Sequence, residues 1–228
     1  MTLKGRRILV LGAGRGLGIA LAEACRTAGA DVAAHTGRRG DFAVDLAAPA
    51  AVARLMAGAR ERIGGVDGLV NAAALQDMTA DDDPTDWERL LSVNVTAAVA
   101  MARAVMEGAA PGAVVNIASV ETVRPLDGHS AYAASKAALL SATRSLANAG
   151  AARGWRVNAV LPGLIDRVGL AEDWPDGVRS WCRAAPMGRA VTAQEVAAAA
   201  VFLLSDAASG ITGAALPVDG GFLAAPAW

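Results

Sequence analysis

The sequence predicts one α/β domain, residues 1–228, built on a seven-stranded, parallel, doubly wound sheet. Three observations carry that expectation. Short β-branched and leucine-rich runs alternate with longer alanine-rich stretches of helical period, as strands and crossover helices do. Most of the short runs are apolar at every position, the mark of strands covered on both faces. With 228 residues, 54% of them hydrophobic, the chain can bury one sizeable core.

Taken in order, strands are expected at 8–11, 32–34, 42–44, 69–71, 114–118, 156–161 and 215–218. Two helix starts are legible between them. In "TDWERLL" Thr85 stands three residues before Glu88, and in "TAQEVAAAA" Thr192 stands three before Glu195. Each has the spacing of a capping box, in which hydroxyl and carboxylate satisfy each other's backbone N–H groups. The acidic run Asp81, Asp82, Asp83 reads as a solvated turn. No repeat or linker divides the chain.

Charge narrows the choice of partners. The 21 basic and 22 acidic residues leave a formal net charge of -1, with no field to attract nucleic acid or an anionic membrane. Cys25 and Cys182 make no disulfide framework and have no metal-ligand spacing, so a reducing cytoplasm and no metal are expected. The apolar run before Gly12 is short for a signal-peptide core, and the run at 196–204 is about half of the ~18 residues a membrane span needs.

In "VLGAGRGLGIALAEA" Gly12, Gly14, Gly16 and Gly18 fall between the first strand and a helical pattern. The frame is GxxxGxG through Gly12, Gly16 and Gly18, with Leu17 between the last two. Glycines here let the backbone turn tightly and approach a pyrophosphate seated among the free amides of a helix N-terminus. The spacing alone also suits a turn with no ligand; its place directly after the first strand favours the nucleotide.

Tyr132 is the only tyrosine in the chain and stands four residues before Lys136. On a helix the two share a face. An ammonium beside a phenol favours the phenolate, which yields a group able to give and take a proton. Ser119 falls at the C-terminal end of the strand at 114–118, where open α/β sheets place their crevice. Asn94 lies in the helix opened at Thr85. Singly, each of these is an ordinary helix or turn residue; their order behind the glycine loop is what carries information.

With these residues the chain resembles the single-domain branch of the short-chain dehydrogenase/reductase family, Rossmann-like with a YxxxK motif, from Leu3 nearly to the C-terminus. "LGAGRGLG" is similar to the family's TGxxxGxG, with Leu11 for threonine. Asn71, Ala72, Ala73 and Ala74 correspond to its NNAG, and Pro162 and Gly163 to its proline and glycine after the penultimate strand. "PMGRAVTAQEVAAAAVFLLSDAASGITG" and "VDGG" also resemble the family pattern.

The resemblance implies four catalytic residues. Tyr132 exchanges a proton with the substrate oxygen as a hydride moves to or from a nicotinamide, and Ser119 bonds the same oxygen. Lys136 holds the nicotinamide ribose and lowers the phenol's pKa, while Asn94 orders a water in the proton path. For the cofactor it implies Gly12, Gly14, Arg15, Gly16, Leu17, Gly18, Thr36, Arg38, Asp45, Leu46, Asn71, Ala72, Ala73, Pro162, Gly163 and Ile165, together with Tyr132 and Lys136. Ala72 and Ala74 in place of asparagine and glycine, and Arg167 in place of threonine, alter the contacts with the cofactor. The substrate lid is expected at 164–186, with Glu121, Arg124, His129, Trp174 and Trp181 around the pocket.

NADP(H) is favoured over NAD(H). The second strand ends at Thr36 and Gly37, without the carboxylate that bonds the ribose 2′-hydroxyl of NAD. Arg38 and Arg39 follow, and Arg15 faces the same phosphate in the resemblance; Asp41 offers these arginines an alternative partner. The expected activity interconverts a ketone or aldehyde with an alcohol. The rivals are an NAD(H)-dependent alcohol dehydrogenase of the same family and a non-catalytic dinucleotide sensor. An enoyl reductase ranks lower, because such relatives space tyrosine and lysine more widely. Alanines on several faces of the helices carrying Asn94 and Tyr132 point to a homotetramer or homodimer.

Overall fold

The computed structural model describes residues 1–37, 42–48, 50–76, 84–108 and 110–226, with the side chains of all but 84–86. Arg38, Arg39, Asp41 and the run Asp81 to Asp83 lie outside the described residues.

The apolar strand β1 (Arg7–Leu11) pairs with β2 (Asp31–His35) on one side and β3 (Gly68–Asn71) on the other. Beyond β3 follow β4 (Ala113–Ile117), β5 (Arg156–Pro162) and β6 (Ala215–Val218). The order is β2-β1-β3-β4-β5-β6, and every pairing is parallel. The winding reverses between β1 and β3, so a crevice opens where Leu11 and Asn71 end their strands side by side.

Alternation along β1 divides the core in two. Ile8 and Val10 face α1 (Gly16–Thr27) and α8 (Ala193–Leu204), packing with Leu21, Val196 and Val201. Leu9 and Leu11 face the opposite layer of α2 (Ala51–Ile63), α4 (Ala98–Met106) and α5 (Ser130–Ala151), where Leu55, Met101, Leu146 and Trp155 are buried. A chain of hydrogen bonds crosses this layer: Asn71 Nδ2 donates to Asn116 Oδ1 at 2.7 Å, and Asn116 Nδ2 to Thr143 Oγ1 at 2.8 Å.

The sheet has six strands among the described residues, one fewer than expected. The run at 42–44 is a buried loop rather than a strand. Its backbone folds back on the end of β2, with Thr36 N–H bonded to Phe42 O and Val44 N–H to Gly37 O. Phe42 is apolar because it packs under α2 at Gly58.

The capping box at Thr192 is complete, with Glu195 returning the bond. The helix near Thr85 instead begins at Pro84, so Thr85 sits inside the first turn of α3 (Pro84–Leu91). Pro84 takes that place readily because the first helical N–H has no acceptor to lose. A π-helical turn (Ser92–Ala97) joins α3 to α4. The stretch Trp87–Met106 is long and apolar enough to cross a membrane by length and composition, and half of it is buried in the fold. After β5, α6 (Leu170–Asp173) and α7 (Pro175–Ala184) occupy the segment expected as the lid, and an isolated parallel bridge pairs Ile165 before them with Val191 after them.

Candidate active site

The C-terminal ends of the strands enclose a cavity of about 1100 Å³. At one end is the loop after β1, where three glycines are set by backbone contact. A Cβ on Gly12 would lie 2.6 Å from the Ala73 main chain, one on Gly14 2.6 Å from Thr36 O, and one on Gly18 1.9 Å from Gly12 O. Gly16 differs: its φ is +47° and no atom lies within 4 Å of its missing Cβ. No side chain caps α1, and its first turn holds no acidic residue. An uncapped helix start under a floor of bare backbone fits the phosphates of a dinucleotide. Arg15, Leu17, Thr36, Asp45, Leu46, Ala72 and Ala73 line the same end.

His35 orders this end and was not anticipated from the sequence. It is fully buried at the end of β2, with Nε2 2.9 Å from Val44 O. Nε2 therefore donates, and Nδ1 accepts the Gly12 N–H at 3.4 Å. Burial pushes the imidazole below its ordinary pKa, which keeps it in that neutral form. A lone histidine ending an apolar strand was the available signal.

At the other end, Ser119 follows β4 with its Oγ accepting the Glu121 N–H at 3.1 Å. Tyr132 and Lys136 project from the first turns of α5, and Lys136 Nζ lies 5.5 Å from the centre of the phenol ring. That ammonium is buried, donates to Ile117 O at 2.8 Å, and is pushed down to about 8 by desolvation. The phenol departs from the lowered pKa expected of it. Burial first, and the Glu121 carboxylate second, hold it above its ordinary value, while the hydrogen bond with Ser119 pulls the other way.

Asn94 and Asn71 lie behind the cavity wall. Asn94 Oδ1 accepts the Leu75 N–H at 2.8 Å, and its Nδ2 donates to Leu75 O at 2.9 Å and Ser135 Oγ at 3.0 Å. Its side chain is thus committed to fixing the segment after β3, and it sits in the π-helical turn, a feature frequent at functional sites.

Pro162, Gly163 and Ile165 close the floor under the lid. A Cβ on Gly163 would meet the Trp181 ring at 2.5 Å, so this glycine lets the lid tryptophan approach. Trp181 stacks on Phe222, centroids 4.5 Å apart, and Phe222 is a wall residue the sequence reading missed. Arg124 lines the cavity, yet its guanidinium is bound to Phe222 O at 2.9 Å and Ala225 O at 2.7 Å, so it clamps the C-terminal segment. Arg167 pairs with Asp173 within the lid. Glu121, His129 and Trp174 also face the cavity.

Residues 12–223 match the family described as Enoyl-(Acyl carrier protein) reductase. 2-(S)-hydroxypropyl-CoM dehydrogenase 3 of Xanthobacter autotrophicus is 32% identical over 97% of this chain and 98% of its own. The chain belongs to the short-chain dehydrogenase/reductase family. As a short-chain dehydrogenase/reductase it is an NAD(P)-dependent oxidoreductase. D-threitol dehydrogenase of Mycolicibacterium smegmatis is 35% identical over 96% of this chain and 94% of its own. The solved gluconate 5-dehydrogenase from Burkholderia cenocepacia, in complex with NADP and tartrate, superposes with a TM-score of 0.89 at 30% identity, covering 99% of this short-chain dehydrogenase/reductase and 98% of that chain.

Proposed function

We propose that this short-chain dehydrogenase/reductase is an NADP(H)-dependent enzyme that interconverts a ketone or aldehyde with the corresponding alcohol. The observation that carries the reading is one cavity with the glycine cradle at one end and Ser119, Tyr132 and Lys136 at the other. When bound, the nicotinamide supplies or accepts the hydride. Ser119 and Tyr132 hold the substrate oxygen. In reduction Tyr132 gives that oxygen its proton, and a phenol held above its ordinary pKa is fully protonated at neutral pH. The Lys136 ammonium stabilises the phenolate that remains and orients the ribose. Asn94 supports the site from behind the cavity wall, its side chain holding Leu75 after β3 and Ser135 on α5. The three residues between Tyr132 and Lys136 favour C=O over C=C chemistry within the family.

The preference for NADP(H) rests on Thr36 and Gly37, which line the cavity where a carboxylate would meet the 2′-hydroxyl of NAD. Arg15, on the same wall, and Arg38 are the proposed phosphate ligands; a charge-assisted hydrogen bond contributes roughly 1.5–3 kcal/mol. Two unpaired thiols suit the cytoplasm. A panel of ketones and secondary alcohols with each cofactor, followed by the absorbance of reduced nicotinamide, tests the reading. NADPH is expected to exceed NADH in kcat/KM by at least about tenfold, some 1.4 kcal/mol, and Arg15→Ala/Arg38→Ala to erase most of that. A wild-type preference for NADH overturns the cofactor assignment. Tight nucleotide binding with no turnover of any compound favours a sensor.

A further inference from the structure

Two polar side chains in the substrate half of the cavity have no task in the proton path. Glu121 lies on the short 3₁₀ turn (Val120–Thr122) directly after Ser119, and His129 immediately precedes α5, three residues before Tyr132. His129 Nδ1 is 3.0 Å from Glu121 Oε2, and the two side chains are only 11% and 9% exposed. The imidazole stands edge-to-face with the Tyr132 ring, centroids 6.5 Å apart. Both residues line the cavity.

The pairing sets the chemistry of the remaining atoms. A carboxylate can only accept, so the proton of a neutral imidazole sits on Nδ1 and Nε2 presents a lone pair. Among the described residues neither Nε2 nor the second carboxylate oxygen has a partner, and neither is sealed from solvent. A largely buried wall with two open acceptors beside the Tyr132 ring selects a ligand that brings a donor. It disfavours a carboxylate, which brings only acceptors and a like charge. Arg124, the cation closest in sequence, is already bound to the main chain at Phe222 and Ala225.

We propose that the Glu121–His129 pair recognises a hydroxyl group on the carbon next to the reacting one, and so makes hydroxyketones and vicinal diols the substrate class. His129 accepts from that hydroxyl, and Glu121 is the positioning residue that fixes its tautomer. The proposal rests on the oxidoreductase reading above, and its test has a binding arm that does not depend on turnover.

The first arm compares kcat/KM for 1-hydroxy-2-butanone and 2-butanone in wild type, His129→Phe and Glu121→Gln, with a melting curve for each variant. The expected wild-type ratio is at least about tenfold, falling to within about threefold in His129→Phe and to an intermediate value in Glu121→Gln. A hydroxyketone is intrinsically the more reactive carbonyl, but that factor is common to all three proteins, so the change in ratio carries the test. A purely structural role would lower both substrates together and leave the ratio where it was. The second arm titrates the nucleotide-bound protein with 1,2-butanediol and 2-butanol, read by the fluorescence of the cavity tryptophans. Tighter binding of the diol, lost in His129→Phe, is expected even if neither ketone turns over, in which case the redox reading alone falls. A ratio unchanged in His129→Phe, no diol preference in binding, or a preference for 2-oxobutanoate over both ketones overturns the proposal.

Discussion

In the proposed reaction Tyr132 works from a desolvated position, and its neighbours decide which direction it serves. Burial and the Glu121 carboxylate favour the neutral phenol, so the group is ready to give a proton, and Lys136 supplies the charge that steadies it afterwards. Tyr132→Phe is therefore expected to lower kcat by ~10²- to 10⁴-fold while cofactor affinity, measured by fluorescence titration, stays within a few-fold. At the far end of the cavity His35 makes a prediction of a different kind. Burial lowers its pKa in the folded protein below the ordinary 6.5. Below about pH 6.5 the unfolded chain takes up a proton that the folded one refuses, so stability falls as the pH drops through that value and is unaffected by this group above it. Thermal unfolding from pH 7.5 to 5 is expected to show that loss in wild type and a shallower slope in His35→Leu. An equal slope in both proteins would exclude His35 as the source.

The loop between β1 and α1 separates two kinds of glycine. Gly18→Ala drives a methyl group into Gly12 O, with backbone on both sides and nowhere to move, so loss of soluble protein or of nucleotide binding is expected. Gly16→Ala meets only open space and the strain of a left-handed residue, about 1–2 kcal/mol, or a melting point lower by a few degrees. Parallel measurements of melting point and nucleotide affinity on the two variants check the contrast. The sequence showed all four glycines but not this difference, because which of them touches backbone depends on where Ala73 and Thr36 arrive from elsewhere in the chain. The same limit explains the run at 42–44: its apolar residues report burial, and burial beneath α2 looks in sequence like burial in a sheet. Thr192 and Glu195 were legible because a capping box is satisfied within four residues. The π-helical turn around Asn94 left no local signal, since its anchors, Leu75 and Ser135, are distant in sequence.

Across the whole molecule, groups from five of the six strand ends and from the segment after β5 meet in one cavity, so the order of motifs along the chain says more about where the expected residues gather than any single residue does. His129 and Phe222 show what was lost: Glu121 and His129 were both expected around the pocket but not as a pair, and Phe222 was not expected at all, because its partner Trp181 lies in a distant segment. Assembly is a separate expectation. The outer side of α5 presents Ala137, Ser141 and Ser145, small residues that permit close helix packing, and light scattering is expected to give a dimer or tetramer; a monomer at working concentration sinks that proposal. The chain's only tyrosine also lines the cavity. A protein labelled with fluorotyrosine therefore gives a single ¹⁹F resonance, and every shift in it, on adding nucleotide, substrate or base, is a report from the proposed proton donor with no background to subtract.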